Sequence, residues 1–172
     1  MRQSVGMPVN VRRIRADERA ALKVVRLAAL ADAPTAFGST LEREVAFTDD
    51  EWAARAAASA RGDERVIFFA ELDGQIGGLV GGFADAATPG AIELVSMWTA
   101  PAARRTGTGR LLVQAVLAWS AATGADTVGL WVIRGNEPAR RLYEAMGFTE
   151  TGDYQPLPSD PCKDELRMSR HV

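Results

Sequence analysis

Apolar residues recur along the chain with two periods, and each period predicts its own elements. From residue 111, Leu111, Leu112, Ala115, Val116 and Trp119 follow one another at steps of one and three or four, the stripe of an amphipathic helix. The same period runs through residues 17–32, DERAALKVVRLAALAD. There Leu22, Val25, Ala29 and Leu30 share a face and Asp17 is a candidate N-cap. APTAFGST breaks that helix. TDDEWAARAAASARGD, residues 48–63, predicts another, opened by Thr48 or Asp49 and closed near Gly62. NEPARRLYEAMG, residues 136–147, predicts a short one, with Asn136 as N-cap, Pro138 in the first turn and Gly147 just past the end.

Between the helices the pattern is that of strands. VNVRRIRA, residues 9–16, alternates enough to be a first strand. Residues 65–85 are two apolar stretches around Asp73-Gly74, a hairpin signal. AIELVSMWTA follows and ends at Pro101. TVGLWVIR, residues 127–134, is apolar nearly throughout, as a strand covered on both faces should be. FTETGDY and DELRMSR read as two final strands joined by a Pro-rich loop, QPLPSDPCK. The predicted order is β-α-α-β-β-β-α-β-α-β-β. Strand–helix–strand crossovers imply parallel pairing in the C-terminal half, and hairpins imply antiparallel pairing elsewhere. Residues 1–8 read as a loose leader, with Met7 an alternative start. Residues 9–172 read as one domain, without internal repeat or dividing linker.

Bulk composition narrows the function classes. The chain has 172 residues, of which 47% are hydrophobic and 24% charged, ordinary for a soluble globular protein. A net charge of −2 disfavours general nucleic-acid binding. There is neither a signal-peptide apolar core nor a run of membrane-spanning length. The single cysteine, Cys162, cannot form an intrachain disulfide, which fits a reducing cytoplasm. With His171 as the only histidine, a tetrahedral Cys/His zinc site is excluded, and no metal is expected.

The stretch ARRTGTGR stands directly before the helix stripe of residues 111–119. Gly107 and Gly109 therefore lie at a helix N-terminus, where backbone N–H groups lack intrahelical partners. With Arg104, Arg105 and Arg110 beside them, such a place suits a phosphate or pyrophosphate, although glycines before a helix also mark plain turns. It is not a Walker loop, since no Gly-Lys-Ser/Thr follows. It is not the dinucleotide fingerprint either, since Leu112 stands where the third glycine belongs.

Two motifs resemble those of the GNAT superfamily of acyl-CoA-dependent N-acyltransferases. The first is Arg104-Arg105-Thr106-Gly107-Thr108-Gly109 after a strand. The second is Asn136, Ala139, Leu142, Tyr143, Gly147 and Phe148 with the family's spacings. The resemblance runs from about residue 9 to 170 and is clearest over 91–150. It implies an α/β fold of mixed α+β kind, a central and mostly antiparallel sheet of about seven strands flanked by about four helices. It also implies acetyl-CoA as co-substrate. Its pyrophosphate would lie on Arg104, Arg105, Thr106, Gly107, Thr108, Gly109 and Arg110, its pantetheine arm along Met97, Trp98 and Thr99, with Asn136 and Tyr143 nearby. Many members have Gly where this chain has Arg105. A non-Gly residue restricts the backbone there, and the role the resemblance leaves for its side chain is a contact to a CoA phosphate.

Acetyl transfer to an amine needs a neutral nucleophile, a held thioester, a donor to the oxyanion and a proton for the thiolate. Tyr143 matches the family's usual acid, and a phenol is protonated at pH 7. Its alternative is a core aromatic. Glu93, the one carboxylate in AIELVSMWTA, is the candidate base, preferably through water. Its alternative is a solvated strand face. Phe37, Trp52 and Asp160 are expected at the acceptor pocket, because the family places substrate contacts in the first two helices and the last hairpin. No nucleophile is evident, so direct attack in a ternary complex is expected. The acceptor is expected to be a small primary amine, with a protein N-terminus or lysine as the alternative and a non-catalytic acyl-CoA-binding module as the rival class. Homodimers are common in the family.

Overall fold

The computed structural model describes residues 8–172. Its strands are β1 (Asn10–Arg13), β2 (Arg65–Leu72), β3 (Gln75–Ala84), β4 (Ala91–Thr99), β5 (Thr127–Ile133), β6 (Thr149–Leu157) and β7 (Asp160–His171). They form one sheet in the order β1-β2-β3-β4-β5-β7-β6. Only β4 and β5 run parallel; the other pairs are antiparallel. The helices are α1 (Arg19–Asp32), α2 (Leu41–Val45), α3 (Asp49–Arg61), α4 (Thr108–Ala122) and α5 (Glu137–Ala145). This is the mixed, mostly antiparallel architecture that the sequence implies. The expected leader, with Met7, falls almost entirely outside the described residues. No helix among the described residues is long and apolar enough to cross a membrane.

The sheet divides the core in two. Leu112, Val113 and Val116 of α4 and Tyr143 of α5 pack with Ile92, Leu130 and Met168 on one face. Leu22 and Leu30 of α1 and Trp52 of α3 pack with Ile67, Phe69 and Leu79 on the other.

Three local expectations differ from what forms. Asp17 does not cap α1; Glu18 is the N-cap residue, and its side chain bonds elsewhere. Arg12 donates to it at 2.7 and 2.8 Å, and the backbone N–H of Arg15 at 2.8 Å. The Arg12 bond above all brings the Glu18 carboxyl down to about 2. Between that break and α3, where no element is expected, residues 41–45 form a further short helix, α2, capped by Thr40, which accepts from the Arg43 N–H at 3.2 Å. The Pro-rich stretch between the last strands is largely strand itself, with the turn confined to Pro158 and Ser159. Pro156 is tolerated because β6 is an edge strand, where a missing N–H need cost no ladder bond.

One irregularity positions everything that follows. β4 and β5 pair only from Ala91 to Glu93, opposite Thr127 to Gly129. Beyond that point β4 stays on β3 as far as Thr99, and β5 stays on β7 as far as Ile133. The facing edges of β4 and β5 therefore diverge inside the sheet. A bulge accompanies the split: Val95 and Trp98 pair with Gly81 and Leu79, so Ser96 and Met97 together oppose Val80. Ser96 takes a positive φ of 56°. Its hydroxyl accepts a 3.1 Å bond from Arg26 of α1, a buried guanidinium also clamped on Glu44 of α2.

Candidate functional site

The divergence of β4 and β5 opens a cleft of about 1070 Å³. Leu94 to Thr99 form one wall, Trp131 to Ile133 the other, and the loop and first turn of α4 close one end. Strand edges that have lost each other carry backbone N–H and C=O groups without ladder partners. A ligand that carries amides can satisfy them.

The loop into α4 is built to present N–H groups. Gly107 is the N-cap residue of α4 with φ 88°, a left-handed conformation that favours glycine. Arg105 is also left-handed at φ 61°, the restriction anticipated for a non-Gly residue there. The Thr106 hydroxyl donates to the Ala103 carbonyl at 2.7 Å and lies 2.7 Å from the Thr108 hydroxyl. These two threonines hold the loop from within, and neither lines the cleft. Arg104, Arg105, Gly107, Gly109 and Arg110 do line it. Arg105 and Arg110 are exposed, but Arg104 is engaged: it bonds Asp32 and donates to the Thr99 carbonyl at 3.1 Å. Asp32 also accepts from Trp98 Nε1 at 2.9 Å. That bond, then Arg104, holds the Asp32 carboxyl below its ordinary value. Trp98 and Arg104 thus tie β4 to α1 at the cleft mouth.

Tyr143 and Asn136 meet the same cleft from α5. Asn136 caps that helix, its Oδ1 accepting from the Ala139 N–H at 3.3 Å. Tyr143 is 5% exposed and packs edge-on against Phe148, centroids 5.8 Å apart. Burial pushes its phenol above the ordinary value, so it is a proton donor at neutral pH. Met97, Trp98 and Thr99 line this cleft as well.

A second cleft, of about 940 Å³, opens on the α1/α2 side of the sheet. Phe37 lines it, its ring beneath Arg26 at 4.7 Å and its carbonyl accepting from Ser159 at 2.5 Å. The other two residues expected there are elsewhere. Trp52 is 1% exposed inside the α1/α3 core, because a full indole on the inner face of an amphipathic helix buries more surface in the core than in a cleft wall. Asp160 turns to Lys163, 3.1 Å away, and to the Cys162 N–H.

Glu93 lines the second cleft with both oxygens on one guanidinium. Arg167 Nη1 donates at 2.6 Å to one oxygen, and Nη2 bonds the other. The bonds to Glu93 raise the Arg167 pKa further. Arg167 comes from β7 and must cross β5 to reach β4. It does so over Gly129, where a Cβ would lie 2.6 Å from Arg167 Cζ. Glu165, two residues before Arg167, is a residue that the sequence analysis did not single out. It is 8% exposed, has no ion-pair partner among the described residues, and accepts at 2.6 Å from Gln155. Burial raises its carboxyl above the ordinary value, against the Gln155 bond. It lines both clefts. The signal was available as an acid on the same strand face as Arg167, alternating with Leu166 and Met168.

The sequence profile of the acetyltransferase (GNAT) family matches residues 28–148. No curated protein matches in sequence. Among solved structures, a GNAT-family acetyltransferase of Streptococcus pneumoniae is 22% identical, with TM-score 0.75 over 96% of this chain and 100% of that one. The ribosomal-protein-alanine N-acetyltransferase of Brucella melitensis is 19% identical, with TM-score 0.77 over 95% and 99%. The protein yncA of Salmonella typhimurium, solved with its cofactor acetyl-CoA, is 19% identical, with TM-score 0.75 over 95% and 94%. At these identities the structures speak for the fold.

Proposed function

Because the chain belongs to the acetyltransferase (GNAT) family, we propose that it moves the acetyl group of acetyl-CoA to a primary amine by direct attack in a ternary complex. The observation that carries this reading is the meeting of two clefts. One has the glycine loop and first turn of α4 at its end and a buried phenol in its wall; the other reaches the same stretch of β4, Leu94 to Ser96.

The residues present fit acetyl-CoA. The N–H groups of residues 105–110, at the positive end of α4, would hold the pyrophosphate, with Arg105 and Arg110 free to reach phosphate oxygens. Arg104 supports the loop through Asp32 instead. The unpaired edge of β4 at Met97, Trp98 and Thr99 would bond the amides of the pantetheine arm and donate to the acyl oxygen. Acetyl-CoA supplies the activated thioester. Tyr143 gives the departing thiolate its proton. The acid need not be strong, because a thiolate with a thiol pKa near ~8.5 is already a fair leaving group. Direct attack is favoured because Cys162, the one thiol, is exposed and lines neither cleft.

The acceptor enters through the second cleft, and we take it to be a small amine. Peptide N-termini and lysines form the second arm of the test, since the Brucella relative is named for acting on a ribosomal-protein alanine. The test is release of free CoA from acetyl-CoA on addition of amines and peptides. Turnover with either arm supports acetyl transfer and names the acceptor class. Tight acetyl-CoA binding with no release in either arm would instead favour a binding module. Tyr143→Phe should keep acetyl-CoA affinity and lower kcat by about 10-fold to 10³-fold. An undiminished kcat, where chemistry limits the rate, would return Tyr143 to the core.

A further inference from the structure

Attack by an amine leaves a proton to be removed where the two clefts meet. Six residues line both: Ala36, Leu94, Val95, Ser96, Trp131 and Glu165. Glu165 is the one among them with an ionisable side chain. We propose that Glu165 takes the proton from the attacking amine, and that Glu93 and Arg167 are a positioning pair that sets the foot of the cleft. The proposal rests on the acetyl-transfer reading above.

The two carboxylates differ in what their oxygens are doing. Glu93 lines the second cleft alone and gives both oxygens to Arg167. To accept a proton it must surrender a charge-assisted bond. For Glu165 the recorded protein donor is the Gln155 amide, on one oxygen. The other oxygen has no protein donor among the described residues. It is not a sealed orphan either, since Trp52 Nε1 is the one fully buried side-chain polar atom without a partner among the described residues. That oxygen is left to meet a ligand.

The groups around Glu165 suit the role. β5 faces it with Ile133 and β6 with Gln155, both uncharged. On its own strand Asp164 is exposed, and Arg167 is spent on Glu93. The next charge on the β5 side, Arg134, stacks its guanidinium on Tyr154 at 5.3 Å. Across the second cleft Arg26 and Arg55 are paired with Glu44. Across the first stands the neutral phenol of Tyr143. The remaining charged lining, Arg43, Arg65 and Asp85 in the second cleft and Asp32, Arg104, Arg105 and Arg110 in the first, makes no ion pair with Glu165 among the described residues. Burial is then the main influence on its carboxyl and raises its pKa toward that of a useful base, against the Gln155 bond.

The step balances. The amine nitrogen bonds the acyl carbon as the C–S bond breaks. One N–H proton passes to Glu165, and the phenol proton of Tyr143 passes to the thiolate sulfur. Solvent then carries the Glu165 proton away and restores the phenol.

The experiment compares kcat/KM against pH for wild type, Glu165→Gln, Glu165→Asp and Glu93→Gln, with the best amine from the CoA-release panel and acetyl-CoA affinity measured beside it. Glu165→Gln should lose about 10²-fold to 10⁴-fold near neutral pH. It should also lose the acidic limb and bind acetyl-CoA as wild type does. Glu165→Asp should be slower but keep the limb, because a shorter carboxylate still titrates. Glu93→Gln should keep the limb whatever its rate. A Glu165→Gln protein with wild-type rate and limb overturns the proposal. So does a limb that disappears in Glu93→Gln and survives in Glu165→Gln. Either result leaves acetyl transfer standing, whereas absence of CoA release by wild type with every amine and peptide removes both.

Discussion

Gly129→Ala is a one-methyl change whose cost follows from the path of Arg167. The added carbon would lie 2.6 Å from Arg167 Cζ and 3.1 Å from its Nε, so the guanidinium must leave Glu93 or β5 must move. The guanidinium is the softer of the two. The side chains of the pair are 19% and 13% exposed, between a surface bridge worth about 0.2–1 kcal/mol and a fully buried one whose disruption costs about 3–5 kcal/mol. A loss of about 1–3 kcal/mol is reasonable, offset by about 0.4–1 kcal/mol because alanine reduces the freedom of the unfolded chain. The mid-range net expectation is about 1.3 kcal/mol, within limits of about 0–2.6 kcal/mol, a fall in Tm of about 3–5 °C at mid-range for a chain of this size. Urea unfolding measures it. The informative comparison is the same substitution in an Arg167→Ala background. There the methyl has nothing to displace, and it should be neutral or slightly stabilising, a coupling of about 1–3 kcal/mol between the two sites. An equal loss in both backgrounds would refute the crossing as the reason for the glycine.

Two further outcomes follow from the same geometry. Gly107→Val should fold but weaken acetyl-CoA binding at least about tenfold by calorimetry, since a β-branched residue at φ 88° is strained and will pull the N–H groups out of line; unchanged affinity would detach this loop from the anion. Asp32→Asn should narrow its stability deficit as acid is added: the Asp32 carboxyl is held below its ordinary 3.8 by Trp98 and then Arg104, so its stabilisation is present above 3.8 and fades as pH falls through the folded value. A deficit that stays constant from pH 6 to pH 2.5 would contradict that assignment.

What the chain disclosed in advance is what is encoded locally. The Asn136 cap, the α3 cap offered to Thr48 or Asp49 and taken by Thr48, the Asp73-Gly74 turn and the glycine at the start of α4 each depend on a few neighbouring residues, and all form. The splay of β4 from β5 depends on where two strands 36 residues apart stop pairing, as Ala91 against Thr127 shows, and no periodicity encodes it. The same limit hid the partner of Glu93. A carboxylate in a strand reads identically whether solvent or an arginine 74 residues away meets it. Nothing in DELRMSR sets Glu165 apart, because the segment alternates like any half-buried strand. Glu165 pairs with Gln155 across the β6–β7 hairpin and with Ile133 on β5, a strand that no local pattern assigns to it. Trp52 is the opposite case: the expectation sends it to a pocket, but the core has first claim on an indole of its size.

A crystal structure of the protein with acetyl-CoA tests the central claim most directly. The account predicts the pantetheine arm between β4 and β5, bonded to the backbone of residues 97–99. It predicts the pyrophosphate on the N–H groups of residues 105–110, and the thioester sulfur beside the Tyr143 hydroxyl. Acetyl-CoA bound elsewhere, or bound here with its sulfur far from Tyr143 and its pyrophosphate off the α4 N-terminus, would contradict it.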